Sequence, residues 1–173
     1  IVDERCAAFF ALGIAQQTQK PVAILCTSGS ALLNYYPAIA EAFYSNIPLV
    51  VLSADRPKHL IDVGDGQTIK QKNVYGEHVI YNSNLKLELS LGLQQDIQSY
   101  NDSEIHSALT HAIVKSGPVH INIPFDEPLY ETVEELSVNP KPFKIQRKIE
   151  NIAEYDFNSL MDVWQNANRK IIL

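Results

Sequence analysis

Three short apolar runs constrain the fold of this chain more than any other feature: Val22–Cys26, Pro48–Ala54 and Val119–Ile123. Each is too short for a typical helix and closed by a polar or proline-bearing turn. Val22–Cys26 and Pro48–Ala54 are mostly continuous, the pattern of strands buried on both faces of a parallel sheet, while Val119–Ile123, interrupted by His120 and Asn122 and ended by Pro124, reads as a third strand. Helical patterns lie before, between and after them. Asp3 to Thr18 carries an apolar stripe of Ala7, Ala8, Phe10, Ala11, Ile14 and Ala15, with Asp3 as N-cap and Pro21 as the stop. Ala31 to Tyr44 is a second predicted helix. Ser103 to Lys115 is a third, opened by Asp102-Ser103 and closed by Gly117-Pro118. Strand, helix, strand, helix, strand predicts an α/β fold: an open parallel sheet with helices on both faces.

The remaining segments carry less signal. Pro57 to Gly76 reads as irregular, with turns forced around Gly64, Asp65 and Gly66. Ile80 to Leu93 alternates too weakly to assign. Residues 1–129 are expected to form one domain, here lacking its first strand, and the proline- and charge-rich residues 130–152 a linker. Residues 153–173, with a helix over Tyr155 to Asn168, are expected to start a further domain. The chain opens on Ile1-Val2 and closes on Lys170-Ile171-Ile172-Leu173. Both ends read as cuts through strands, which predicts a piece of a longer polypeptide, truncated at the N-terminal side of its sheet and prone to self-association.

Charge narrows the partners. The formal net charge is −6, which disfavours nucleic acid and anionic membranes. No apolar run approaches the roughly 20 residues of a membrane span. The two cysteines, Cys6 and Cys26, fall in a helix pattern and a strand pattern. They read as small buried side chains in a reducing, cytoplasmic compartment rather than as a disulfide.

In an open parallel sheet, ligands bind outside the carboxyl ends of the strands. The Thr27–Ser30 loop, Arg56 and Pro124 all fall on that edge. Thr27-Ser28-Gly29-Ser30 places a glycine and backbone N–H groups at a helix start, an anion or polar-ring site; the alternative is a tight turn capped by Ser30. It lacks the lysine of a P-loop and the G-x-G-x-x-G of a dinucleotide site. Ser28 lacks the surroundings of a hydrolase nucleophile. Arg56 could clamp a carboxylate, or form a structural ion pair with Asp55 or Asp62. Gln67, after two glycines, could hydrogen-bond an uncharged reaction centre, or simply be solvated. Glu4 is by itself an acidic residue favoured in the first turn of a helix. Beside two strand-end loops it becomes the strongest candidate for activating a heterocyclic cofactor. The five histidines have no ligand spacing for a metal and read as ordinary polar or half-buried residues.

Several segments together resemble one family: Asp3-Glu4-Arg5-x-Ala7-Ala8-Phe9, Thr27-Ser28-Gly29-Ser30, Asn34-Tyr35-x-Pro37-Ala38, Ser53-Ala54-Asp55-Arg56-Pro57, Gly64-x-x-Gln67-Thr68-Ile69-x-Gln71 and Gly117-Pro118-Val119-His120-Ile121-Asn122. They are similar to 2-succinyl-5-enolpyruvyl-6-hydroxy-3-cyclohexene-1-carboxylate synthases, thiamine-diphosphate enzymes of menaquinone biosynthesis. The resemblance runs from about Ile1 to Leu129 and is to the pyrimidine-binding domain. It implies a transferase that decarboxylates 2-oxoglutarate and adds the product unit to isochorismate.

The resemblance also implies roles. Glu4 would share a proton with the aminopyrimidine ring of the cofactor. Gly29, Ser30 and Asn34 would line that ring. Arg56 would bind a substrate carboxylate and Gln67 would hydrogen-bond the substrate. The carbon chemistry would be the cofactor's own. Mg2+ would be held by a diphosphate-binding domain outside this chain, within a homo-oligomer, dimer or tetramer. Gly64-Asp65-Gly66 is not that magnesium motif, because no buried strand precedes it and no asparagine follows at the spacing such enzymes use. Asp65-Gly66 also stands where the family often has Ala-Asn or Ala-Pro, and Gly66 would not replace any substrate contact of an asparagine side chain there. Two other readings stay open: a decarboxylase or carboligase of the acetohydroxyacid synthase type, and a non-catalytic binding or assembly module.

Overall fold

The structure is a computed structural model that describes residues 1–87, 94–126 and 154–171, with isolated positions between 130 and 145. The linker expected over 130–152 therefore lies almost wholly outside the described residues. Within them the elements run α1 (Glu4–Thr18), β1 (Val22–Cys26), a 3-10 helix (Gly29–Tyr35), α2 (Tyr36–Tyr44), β2 (Leu49–Asp55), β3 (Tyr81–Asn84), α3 (Gln94–Lys115), β4 (Val119–Pro124) and α4 (Glu154–Asn166). The four strands form one parallel sheet in the order β1-β2-β4-β3.

The α1 helix begins as the sequence predicts. The Asp3 carboxylate accepts the Cys6 N–H at 2.8 Å, which satisfies one of the free donors of the first turn. It ends in a left-handed Gln19, φ 56°, whose N–H closes on the Ala15 carbonyl, and Pro21 bars a further turn. Its buried face is Ala8, Ala11, Leu12 and Ala15. Phe10 and Ile14, read as part of the stripe, point to solvent, with Phe10 63% exposed. Small residues inside let the helix backbone approach the sheet, and the larger ones are left outside.

β2 is the centre of the molecule, and its side chains alternate between two cores. Leu49 and Val51 face a cluster with α1, the 3-10 helix and α2, while Val50 faces Ala108 and Ala112 of α3 with Val119 and Ile121. The sheet thus carries helices on both faces, as expected. β1 departs from expectation. Ala23 is exposed and Leu25 is 71% exposed. The run is apolar, but β1 pairs on one side only and α3 lies over the strands at the other end of the sheet. Neither Ile1-Val2 nor Lys170-Ile171 forms a strand among the described residues.

Two further elements correct the sequence reading. β3 forms in the stretch that alternation left unassigned, because β4 offers it a parallel partner from Tyr81 to Asn84. α3 starts at Gln94, nine residues before the Ser103 predicted from the caps. Asp102 and Ser103 are therefore helix interior. The added turns are held by tertiary contact: the Asn101 amide takes both the N–H and the C=O of Lys86, at 2.8 and 2.9 Å.

Candidate functional site

Because the strands are parallel and in register, their carboxyl ends lie along one edge. Cys26 stands opposite Ser53, Ser53 opposite Asn122, and Asn84 also opposite Asn122. Every loop singled out in the sequence emerges there.

At the β1 end, Glu4 is half-buried in the first turn of α1. Its charge reaches both Cys26 and Tyr35. Burial first, then Glu4, pushes the Cys26 thiol up to about 12. Burial, then Cys26 and Glu4, pushes the Tyr35 phenol up to about 12. The Tyr35 hydroxyl donates to the Leu25 carbonyl at 2.7 Å, which pins the 3-10 helix against the strand end. Glu4 thus stands beside two groups that stay protonated at neutral pH. Cys26 is buried, as expected; Cys6 is exposed, against expectation, and both thiols are free. The face of α1 on which Cys6 lies meets solvent.

The Thr27–Ser30 turn is used differently from a plain anion cradle. Gly29 has φ +82°, and a Cβ added to it would stand 2.8 Å from the Gln67 carbonyl oxygen. Only glycine permits both the left-handed backbone and that contact. Its N–H is already committed, at 2.8 Å, to Oε1 of Gln71. Ser30 does not cap. The N-cap position is Ser28, without a side-chain cap bond, and the helix it opens is 3-10. Ser30 and Asn34 are exposed on that helix, with Asn34 Nδ2 donating to the Ser30 carbonyl at 3.4 Å. Gln67 is exposed, at φ 55°, and reaches the site through its backbone.

At the β2 end, Arg56 enters a cleft of about 740 Å³. The cleft is basic: Arg56, Lys58, Lys72 and Lys86 line it, with Asp55 as the one carboxylate in its wall among the described residues. This local excess of cations opposes the net charge of the chain. Arg56 pairs through Nε with Asp65 at 3.5 Å, not with Asp55 or Asp62. Asp62 is taken by Lys70 at 2.9 Å. Asp55 turns inward to Asn122.

Between the two ends lies a buried polar cluster that the sequence reading passed over. Ser53, Asp55, Gln71, His120 and Asn122 are each at most 5% exposed. Ser53 Oγ donates to Asn122 Oδ1 at 2.9 Å and meets His120 Nε2 at 2.7 Å. Which of Ser53 Oγ and His120 Nε2 donates to the other is set by the imidazole tautomer. Burial holds the His120 pKa down to about 4, so the imidazole is neutral, not the half-buried polar residue expected. Burial raises the Asp55 pKa, partly opposed by hydrogen bonds from Asn122 and the Arg56 backbone. A signal existed: Ser53, His120 and Asn122 are polar residues set inside apolar strand runs, where each needs a partner.

The structure therefore groups the candidate residues in two places, or candidate half-sites. At the β1 end Glu4 stands near Cys26 and Tyr35, and Gly29 lies against the Gln67 backbone; Arg56 faces the cleft at the β2 end. Ser30 and Asn34 lie on the outer side of the 3-10 helix. Among the described residues no three His, Cys, Asp or Glu come together to hold a metal, and no helix is long and apolar enough to cross a membrane.

Comparison with known proteins fixes the family. Residues 1–75 match the family described as thiamine pyrophosphate enzyme, N-terminal TPP binding domain. The chain is 56% identical over 173 residues to the 2-succinyl-5-enolpyruvyl-6-hydroxy-3-cyclohexene-1-carboxylate synthase of Flavobacterium johnsoniae, and 57% identical over 173 residues to that of Flavobacterium psychrophilum. It is 55% identical over 183 residues to the synthase of Christiangramia forsetii. In each case the whole of this chain is covered, while it spans only 30%, 30% and 32% of those relatives. With its open parallel sheet and the loops at its carboxyl edge, the chain belongs to the 2-succinyl-5-enolpyruvyl-6-hydroxy-3-cyclohexene-1-carboxylate synthase family, of which it spans about a third of the length.

Proposed function

We propose that this chain is the pyrimidine-binding part of a thiamine-diphosphate-dependent transferase. The full-length enzyme would release carbon dioxide from 2-oxoglutarate and join the remaining four-carbon unit to isochorismate in menaquinone biosynthesis. One observation carries the reading. A half-buried carboxylate, Glu4, stands at a helix start beside two protonated groups, on the same sheet edge as the basic cleft of Arg56. The residues present suit a polar heterocycle: Glu4 can hold a proton at a ring nitrogen, and the Cys26 thiol and Tyr35 phenol do not compete for charge. Thiamine diphosphate, when bound, supplies the stabilised carbanion equivalent that decarboxylation and addition require.

The chain's own residues then divide the work. Glu4 holds and returns the ring proton. Gly29, which opens the 3-10 helix, bounds the ring's side of the edge, and Ser30 and Asn34 would approach the ring from that helix's exposed side. Arg56 presents a planar fork to a substrate carboxylate, in a cleft whose lysines favour dianions such as both proposed substrates. Gln67 supplies a hydrogen bond to the substrate. Residues 1–129 act as the binding domain, 130–152 as a linker and 153–173 as the start of a further domain. Mg2+ and the diphosphate belong to another part of the full-length protein, working as a cytoplasmic homo-oligomer.

Glu4 tests the proposal. In a full-length synthase carrying this chain, Glu4→Gln is expected to fold normally. It should slow hydrogen–deuterium exchange at the thiazolium carbon of bound cofactor by about 100-fold or more, as removal of a positioned acid–base group does. Exchange at the unaltered rate overturns the reading.

A further inference from the structure

The two half-sites are joined by one side chain. Gln71 is fully buried in a stretch without regular structure. Its Oε1 accepts the Gly29 N–H at 2.8 Å. Its Nε2 donates to the Ala54 carbonyl and to Asn122 Oδ1, both at 2.9 Å. The amide therefore spends its acceptor on the turn after β1 and its two hydrogens on the ends of β2 and β4. The path continues: Asn122 Nδ2 donates to Asp55 Oδ2 at 2.6 Å, and Asp55 Oδ1 accepts the Arg56 N–H at 2.8 Å. Gly29 and Arg56 are thus connected through three buried hydrogen bonds and a last, part-buried one at the Arg56 N–H.

Nothing in the sheet requires this arrangement. The β1–β2 and β2–β4 pairings form without it, but an apolar residue at position 71 would leave the Gly29 N–H and the Ala54 carbonyl without this partner. What an apolar residue could not supply is direction. Hydrogen bonds in a buried, low-dielectric setting hold their partners to narrow distances and angles. Here they fix a left-handed glycine turn and an arginine-bearing strand end relative to one another.

We propose that Gln71 is a positioning residue that holds the Gly29 turn, next to Glu4, at a set spacing from Arg56, so that ring-binding and carboxylate-binding halves stay in register. This rests on the function proposed above. The ligand classes are an aminopyrimidine-bearing cofactor on one side and a small dicarboxylate on the other.

Two variants separate the arms of the amide in a full-length synthase carrying this chain. Gln71→Met loses both arms. Its Gly29 amide should exchange with solvent at least about tenfold faster, and cofactor Kd and dicarboxylate KM should both rise about tenfold, as for loss of a buried hydrogen bond. Gln71→Glu keeps the acceptor for Gly29 but loses both donors. Its Gly29 amide should stay protected and its cofactor Kd unchanged, while KM rises about tenfold at neutral pH. That rise should shrink as pH falls and the new carboxyl regains a hydrogen to donate. A purely structural role predicts otherwise: a lower Tm with unaltered Kd and KM, or both variants changing both constants alike at every pH. Either result overturns the proposal. If neither variant folds, Asp55→Asn, which keeps one acceptor oxygen and so breaks the path to Arg56 at either Asn122 or the Arg56 N–H, should raise KM and leave cofactor Kd alone; an unchanged KM overturns it. Normal cofactor-dependent turnover by the unaltered enzyme, with Glu4→Gln impaired, keeps failure here distinct from failure of the assigned function.

Discussion

Arg56 is held by Asp65, nine positions further along the chain, with 3.5 Å between Nε and Oδ2. Its immediate neighbour Asp55 faces the opposite way, into the polar cluster. The Asp65 side chain is 37% exposed and that of Arg56 23%. A pair so close to water contributes about 1 kcal/mol at most. A substrate carboxylate can therefore displace Asp65 at little cost. Asp65→Asn is expected to lower the dicarboxylate KM of the full-length synthase by up to about fivefold, the equivalent of that pair. Arg56→Lys, which loses the planar fork, should raise KM about tenfold without lowering Tm. Steady-state kinetics on the two variants checks both signs. A sharp fall in Tm with unchanged KM in Arg56→Lys would show that Arg56 serves only as a structural tether.

Gly29 and Gly64 form a matched pair of left-handed glycines, at φ +82° and +84°. A Cβ at Gly64 meets nothing within 4 Å, whereas at Gly29 it runs into the Gln67 backbone at 2.8 Å. Gly64→Ala should therefore cost only the backbone strain, about 1 kcal/mol. Gly29→Ala adds displacement of the 67–71 segment and should cost about 3 kcal/mol in total. Parallel thermal melts decide this; equal losses would mean that the contact with Gln67 is soft.

His120 makes stability depend on pH with a defined sign. Its folded pKa of about 4 lies below the ordinary value of 6.5. In that window the unfolded chain takes up a proton that the fold refuses. The contribution is fully present above about pH 6.5 and is lost as pH falls toward 4, amounting to about 3 kcal/mol. Asp55, raised by burial, acts in the opposite sense at the acid end and offsets part of this. Tyr75, whose ring packs edge-on at 5.0 Å, stays neutral throughout. His120→Gln should flatten the fall in Tm between pH 6.5 and pH 4 relative to the unaltered chain. A variant with the same acid slope would move the effect to another group.

Cofactor affinity of the chain alone gives a fourth expectation. The described residues gather no metal-binding group, and the net charge of −6 opposes an anionic diphosphate. Calorimetry of the isolated chain with thiamine diphosphate and Mg2+ should show at most weak binding. Tight, magnesium-dependent binding would mean that a complete cofactor site is contained in these residues.

What the sequence determined by itself is local. The short runs at Val22, Pro48 and Val119, each too short for a helix and closed by a turn, gave strands. Asp3 and Pro21 gave α1 its limits, because a cap and a barred N–H act within one turn. The places of Glu4 in the first turn of α1 and of the Gly29 turn after β1 were legible for the same reason: each announces a helix start or a strand end. The tertiary structure decided what depends on neighbours distant in sequence. β3 needed β4 as a partner, and the first turns of α3 needed Asn101 against Lys86. β1 lost the cover on one face because of its place at the sheet edge, which composition does not encode. The polar cluster is the clearest case. Gln71 reaches Gly29 across 42 positions, and Ser53 reaches His120 across 67. A buried polar residue must find a partner, and the sequence shows the need; only the fold, by bringing strand ends together, selects which partner answers it.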